Sequence, residues 1–423
     1  MSRKRAHSQP PRPQLLILVT ELAMGGAARV VRDHAQAFAE RYDVTEAVFN
    51  AAADGVDFPG RAPPVSLDVG GGGGPVTKLL NFARRVGRLR ALKRRTGTAV
   101  AISHLEGAHY VNVLGCAGET TILCVHGTTL HDLSIRGMAG KLRRRVLIPR
   151  LYNRADRIVT VSRDLVPELV SMGVDAARIL TINNFFEVER IAERSLEPLP
   201  PEEQPLFERG DTLVAAGRLA EQKNQASLLD MLVGLRRERP VKLIIVGDGP
   251  LRRQLIDRAK GLGLASWDCW SGRPIADDRD VYFVGAKENP FPYMRAASLF
   301  LLPSAFEGFP LALGEAMICG AAVLATDCAT GPREMLAPDT ATPAEPLRTA
   351  ESAPFGMLMP LLHEPRSRAA GVEIWSDTIR RLLDDAPERE RLGAAAAVRM
   401  EDFRKEKIVG QWFELIDSLL MKN

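Results

Sequence analysis

The sequence predicts an α/β protein made of two doubly wound, Rossmann-like domains whose parallel sheets face an interdomain cleft. Three observations predict it. Short runs that are apolar on both faces alternate with amphipathic stretches, the pattern of parallel strands covered by helices on both sides. The alternation runs twice, on either side of the polar, proline-rich "EPLPPEEQP", which reads as a linker between residues 184 and 210. At 423 residues and 46% hydrophobic content, the chain is long and apolar enough for two cores.

The first series opens with "LLILV" (Leu15–Val19), a buried strand, followed by the glycine turn at Gly25 and Gly26 and an amphipathic helix. "TAVAIS" is a strand before a helix near His109, and "TTILCVHG" is a strand ending at His126. "DRIVTVS", a helix ending at Gly173, and the strand "ARILTINN" complete it. The second series starts at Asp211 with "TLVAAGRL" and alternates through "VKLIIVGDG", "VYFVG", "SLFLLPS" and "AAVLATD", with a helix after each of the first four. Residues 266–280 and 337–354 interrupt the rhythm and read as surface loops, and the five glycines at 70–74 as a flexible loop. The expected organisation is a disordered basic tail over 1–13, a first domain over 14–186, a second over 187–400, and a last helix over 401–423 that crosses back to the first domain.

A net charge of +4 is too small to point to nucleic acid. Five cysteines without a CxxC or a His/Cys ligand spacing read as reduced core thiols of a cytosolic protein, with no metal site. The basic start of the chain runs into only five apolar residues, which argues against a signal peptide. No apolar run reaches the roughly 18 residues of a membrane span.

Candidate chemistry sits where strands end at the cleft. In "PSAFEGFPLALGEAMICG", Glu307 lies in the turn after a strand and Glu315 in the following helix. Pro310 suits the first turn of that helix, whose amides from Leu311 onward form an anion site. Both glutamates can face the cleft; the plainer alternative makes Glu307 a loop carboxylate and Glu315 a cap for nearby amides. Arg218 and Lys223 follow the strand ending at Gly217, where two cations suit a diphosphate or are simply surface charge. "VGDGP" is a further glycine turn. Gly25 and Gly26 lack the full GxGxxG spacing of a dinucleotide site. His126 is a lone histidine past a strand end, structural or catalytic.

In order and spacing, the E-x7-E of Glu307 and Glu315, with "GRLAEQKN", "VGDGP", "ENPFPYMRAASLFLLPS" and "DCATGPREML", resembles the family-4 retaining glycosyltransferases of the GT-B fold. The similarity is to the branch that builds bacterial lipopolysaccharide, capsule and exopolysaccharide, and it covers Gln14 to Leu420. The resemblance implies that the second domain holds a nucleotide-sugar, with UDP the commoner base and no other cofactor. Arg218 and Lys223 would hold the diphosphate, joined by the 308–311 turn (Gly308, Phe309, Pro310, Leu311) and by Gly25 and Gly26. Glu307 and His126 would meet the transferred sugar, and Glu315 the ribose. Gly285, Asn289 and Pro290 would border the base. The chain departs from the family at Ala28, where a Glu is common, and at Asn184-Phe185, where Asn-Pro is common. A GT-B nucleotide-sugar epimerase, or a non-catalytic homologue in glycan assembly, would share these features.

No DxD-type acidic pair stands at a strand end, so the expected reaction is metal-independent. The acceptor is expected to be a saccharide or a lipid-linked saccharide. Residues 78–95 carry eight basic and no acidic residues, with Leu79, Phe82, Val86 and Leu89 at helical spacing, and 136–154 is similarly one-sided. Both stretches suit an anionic membrane surface and a peripheral enzyme at the inner face of the cytoplasmic membrane. The alternative is a solvated basic face packed on the sheet through that apolar stripe.

Overall fold

The computed structural model describes residues 12–22, 25–51, 63–128, 137–208, 210–276, 278–343, 345–362 and 368–421. The expected basic tail lies outside the described residues up to position 11.

The first sheet contains β1 (Gln14–Val19), β2 (Asp43–Val48), β3 (Val65–Ser66), β4 (Val100–His104), β5 (Thr120–Val125), β6 (Arg157–Thr160) and β7 (Ile179–Thr181). Their order is β3-β2-β1-β4-β5-β6-β7, and every pairing is parallel. The central strands β4 and β5 are buried at every residue, so both faces are covered and alternation disappears from their sequence. Towards the edge, β2 reads "DVTEAV" and is buried only at its end.

The second sheet contains β8 (Asp211–Ala216), β9 (Val241–Val246), β10 (Ser266–Asp268), β11 (Val281–Gly285), β12 (Leu299–Leu302), β13 (Val323–Thr326), β14 (Glu351–Ala353) and β15 (Gly356–Met359). Their order is β10-β11-β9-β8-β12-β13-β15-β14, parallel except for β14 against β15. Two stretches expected to be loops therefore contain strands: β10 lies within 266–280 and β14 within 337–354. Both are three-residue edge strands. An edge strand pairs on one side only and is half solvated, so it needs no apolar run to form.

Helix Lys405–Leu420 returns to the first sheet. Its fully buried Trp412 packs edge-on against His34 and beside Phe38, both on helix Gly26–Phe38, with ring centroids 5.2 and 5.5 Å away. At its far end Asp417 accepts from the Tyr42 hydroxyl at 2.7 Å and pairs with Arg41 at 2.5 Å. The chain crosses between the sheets beside itself: Phe186 N–H donates to Phe403 O, and Lys405 N–H donates back to Phe186 O, at 2.9 and 3.1 Å.

Trp412→Ala should remove the packing that fixes this returning helix. The expected loss is about 3–5 kcal/mol of stability, read as a lower midpoint in urea denaturation. An unchanged midpoint would mean that the helix does not contribute to the first core.

Candidate functional site

In an open parallel sheet, ligands sit at the carboxyl ends of strands where the order reverses, because the flanking loops diverge there. The first sheet reverses between β1 and β4, and the second between β8 and β12. The turn of Gly25 and Gly26 follows β1, and His104 ends β4. Gly217 to Lys223 follow β8, and Pro303 to Pro310 follow β12. The candidate residues thus meet because the topology opens at these points.

The two second-domain loops are laced together. Ala305 N–H donates to Gln222 O at 2.8 Å, the Gln222 amide to Phe306 O at 2.9 Å, and the Asn224 amide to Pro303 O at 3.3 Å. Across this lacing Lys223 Nζ donates to Glu307 Oε1 at 2.6 Å, while Glu307 is only 5% exposed. A buried carboxylate needs such a cation. Arg218, on the same loop as Lys223, stands in the wall of a cavity of about 570 Å³ that also meets Gly25, Asp248, Arg252 and Ala286. Backbone forms much of the rest. A Cβ on Gly247 would lie 2.0 Å from Gly217 O, and one on Gly249 2.5 Å from Leu219 O, so only glycine fits these positions of the turn after β9, which packs on the turn after β8.

Helix Leu311–Ile318 presents Glu315, also 5% exposed, to the first domain, where Arg29 of helix Gly26–Phe38 donates to Oε1. Burial alone would lower the Arg29 pKa, but the Glu315 and Asp33 carboxylates outweigh it and raise the value. Among the described residues Oε2 of Glu315 has no hydrogen-bond partner. Gly26 and Leu311 face each other, with a Cβ on Gly26 reaching Leu311 Cδ1 at 3.5 Å. A Cβ on Gly308 would lie 1.7 Å from His126 O. The 307–311 turn is therefore pressed against both first-domain loops.

The first-domain half of the chain, residues 24–190, matches the family described as Glycosyltransferase Family 4, and residues 210–351 match Glycosyl transferases group 1. The chain belongs to the family-4 glycosyltransferases. An uncharacterized glycosyltransferase of Methanocaldococcus jannaschii is 29% identical over 56% of this chain and 57% of its own length. An N-acetylgalactosamine-N,N'-diacetylbacillosaminyl-diphospho-undecaprenol 4-alpha-N-acetylgalactosaminyltransferase of Campylobacter jejuni is 25% identical over 79% of this chain and 80% of its own. The chain thus spans little more than half the length of the first and most of the second. Among solved structures, an Anabaena protein in complex with UDP superposes with TM-score 0.69 at 19% identity, covering 96% of this chain and all of that one. Sucrose-phosphate synthase of Thermosynechococcus elongatus gives TM-score 0.74 at 17% identity, over 97% of this chain and all of that one. These likenesses show the GT-B fold. Both family matches are to transferases, which sets the epimerase alternative aside.

Several residues of this glycosyltransferase stand differently from their sequence reading. Asn289 donates to Arg194 O at 2.9 Å and Glu197 Oε2 at 2.7 Å, which ties it to the linker rather than to the cavity. Pro290 caps helix Phe291–Arg295, and neither residue lines the wall. Gly285 ends β11 with φ 78° and accepts from Gly247 N–H at 2.8 Å, next to the wall residue Ala286. Sequence reasoning missed Arg29, His104, Asp248 and Arg252. The last two sit in and after "VGDGP", where the glycine turn was the available signal. Two of the five thiols, Cys116 and Cys269, are half-buried rather than core, and all five are free.

His126 is not a lone histidine. Its Nε2 lies 2.6 Å from Nδ1 of the wholly buried His104. His104 Nε2 is buried without a partner. A proton there would be an orphaned buried donor, which costs more than a bare lone pair. The His104 proton therefore sits on Nδ1 and is donated to His126 Nε2, which leaves His126 protonated at Nδ1.

Burial pulls the pKa of His126 down to about 4 and those of His34 and His109 to about 3, the last two helped by His126. Burial and the neighbouring imidazoles hold His104 well below its ordinary value. The unfolded chain binds these protons near 6.5 and the fold refuses them, so stability is complete above 6.5 and falls as pH drops towards about 4. Each imidazole adds up to about 1.4 kcal/mol per pH unit. Thermal melts should show the midpoint falling across this window. A midpoint that stays flat would mean that the rings are solvated or already charged.

Proposed function

We propose that this glycosyltransferase is a retaining, metal-independent hexosyltransferase. It moves a sugar from a UDP-linked donor to a saccharide or lipid-linked saccharide acceptor in cell-surface polysaccharide synthesis. The observation that carries the reading is Arg218 in the cavity wall, on the loop that also supplies Lys223 to Glu307, at the point where the second sheet reverses.

Breaking the anomeric C–O bond sends its electron pair to the departing diphosphate and leaves positive charge on the sugar ring. Arg218, Lys223 and the first amides of helix Leu311–Ile318 stabilise the diphosphate without moving, the logic of an oxyanion hole. The fixed cations supply charge that a divalent ion supplies elsewhere. Glu307, held by Lys223, offers its carboxylate to the ring and acts by charge and position rather than as a covalent nucleophile. Same-face attack by the acceptor hydroxyl on a short-lived oxocarbenium-like ion pair retains configuration, and the hydroxyl proton passes to the leaving phosphate oxygen. His126, protonated at Nδ1, is a donor at the sugar side. Glu315 keeps Oε2 for the ribose while Arg29 holds Oε1. Closed domains exclude the water that would hydrolyse the donor.

The Campylobacter relative's name includes a diphospho-undecaprenol acceptor, and Salmonella and Escherichia coli relatives at 27% identity are lipopolysaccharide 1,6-galactosyltransferases. The first domain carries a surface that suits such a lipid. Helix Pro75–Thr96 packs Leu89 and Leu92 inward, with Phe82 and Val86 against the same core, but leaves Val76 72%, Leu79 69% and Leu80 52% exposed. The expected stripe is thus split: its last residues pack and its first turns stay in water. In the run that begins at Gly137, Met138 is 87% and Leu142 63% exposed among basic residues. Exposed apolar side chains beside cations suit an anionic lipid surface. No helix among the described residues is long and apolar enough to cross a membrane.

Thermal-shift measurements in EDTA against UDP-, GDP-, ADP- and dTDP-sugars should show stabilisation by one donor, lost in Arg218→Ala. That variant should lose about 10²–10³-fold in kcat. Stabilisation that needs a divalent metal would overturn metal independence, and no stabilisation by any donor would favour the non-catalytic homologue. In flotation with anionic liposomes at low salt, the protein should rise with the lipid and Leu79→Glu/Leu80→Glu should stay behind. A wild-type protein that remains with the soluble fraction would refute the membrane surface.

A further inference from the structure

Strands β4 and β5 pair in register with His104 beside Cys124, so the two side chains stand together on one face of the sheet. His126, two residues beyond Cys124, returns to that face. One donor atom from each of the three lies within 4.8 Å of the others. Helix Gly26–Phe38 lays His34 over the group, with its ring centroid 5.5 Å from that of His104. Both nitrogens of His34 and Nε2 of His104 are buried without a hydrogen-bond partner. His34 carries a proton on one nitrogen in either tautomer, so it strands a buried donor or awaits a change in its surroundings. The unsatisfied nitrogens of His34 mark a place where an ion or water belongs.

We propose that His104, Cys124 and His126 form a binding site for a borderline-soft transition-metal cation of the zinc class, with His34 beside it as a fourth nitrogen. Two imidazoles and a thiolate match the ligand preference of such ions and not that of calcium or magnesium, which take oxygen. The ion takes the place of the proton that now bridges the two rings. That bridge is 2.6 Å between nitrogens. Ligands of a tetrahedral zinc at about 2.0–2.1 Å stand roughly 3.3 Å apart, so the rings need to part by less than about 1 Å. The exchange balances: the His104 proton moves from Nδ1 to Nε2, where the fold offers it no acceptor and binding must outweigh that cost, the Cys124 thiol releases one proton to solvent, and the cation takes both nitrogens and the sulfur. No oxidant or reductant takes part.

Occupancy has a consequence that rests on the place proposed for His126 in the transfer reaction. An ion holding Nε2 fixes the ring on the sheet, so zinc should inhibit transfer and EDTA should restore it. Binding itself does not depend on that reading, and the test below reads binding alone.

The full chain, freed of metal, is titrated with Co²⁺. One equivalent should give the absorption of a tetrahedral ion with a thiolate-to-cobalt charge-transfer band. The band should persist when the half-buried thiols are removed as Cys116→Ser/Cys269→Ser and vanish in Cys124→Ala. His104→Gln, which keeps the ring's approximate volume, should weaken Co²⁺ binding at least tenfold while circular dichroism shows the fold intact. The proposal is overturned by folded wild-type protein that gives no charge-transfer band, by a band that survives Cys124→Ala, by a band lost in the Cys116/Cys269 variant, or by His104→Gln binding as tightly as wild type.

Discussion

A carboxylate held away from water must have a cation or several donors beside it, and the cleft is arranged around three that obey this rule. Glu307 takes Lys223 from the loop after β8. Glu315 takes Arg29 from the helix after β1, on the other side of the cleft. Glu334 is satisfied by neutral and backbone donors of the first domain: the Ser162 hydroxyl at 2.5 Å, the Asn183 amide at 2.9 Å and Arg163 N–H at 3.0 Å. Two of the three partnerships cross between the domains. Donors from the first domain thus complete the electrostatics of the second domain's helices. Bare backbone at Gly308 makes that approach sterically possible.

The strongest parts of the fold were legible because they are local. β1, β4, β5, β8 and β9 are mostly apolar, almost wholly buried runs bounded by turns, and their pattern needs no tertiary context. The same logic hid β2, β10 and β14. "DVTEAV" is too polar for an interior strand, and three-residue edges draw their stability from the neighbour they pair with. For the site, Arg218, Lys223 and Glu307 were legible from position: each follows a strand end, and strand ends converge. Asn289 and Pro290 follow a strand end too, but the linker residues Arg194 and Glu197 claim Asn289. A strand-end position says that a residue is near the cleft and not what it bonds.

The residues that sequence reasoning missed share a physical cause, which is partnership over long separation. Arg29 and Glu315 are 286 positions apart, and His104 and His126 are 22 apart on neighbouring strands. Nothing in "VAISH" or "LCVHG" says that β4 and β5 will be adjacent and in register, yet adjacency turns two isolated histidines and a cysteine into one cluster. The spacing rules that find metal ligands in sequence work for ligands on one hairpin or helix. They are blind to a site assembled across a parallel sheet, where neighbouring strands contribute the residues and a helix separates those strands in sequence.

The departure at Asn184-Phe185 has a structural reason. Phe185 is buried, with its ring 5.8 Å from that of His34, and so joins the aromatic group of His34, Phe38 and Trp412 that anchors the returning helix. A proline there would supply a rigid turn but no aromatic ring to fill that space. The next residue, Phe186, packs its ring on Gly314, where a Cβ would lie 2.3 Å away, on the helix that carries Glu315. Two adjacent aromatics at the crossing thus grip one domain each, Phe185 the first core and Phe186 the donor-side helix. Any side chain at the glycine would push Phe186 off that helix. The crossing is thereby packed directly against the helix position next to Glu315.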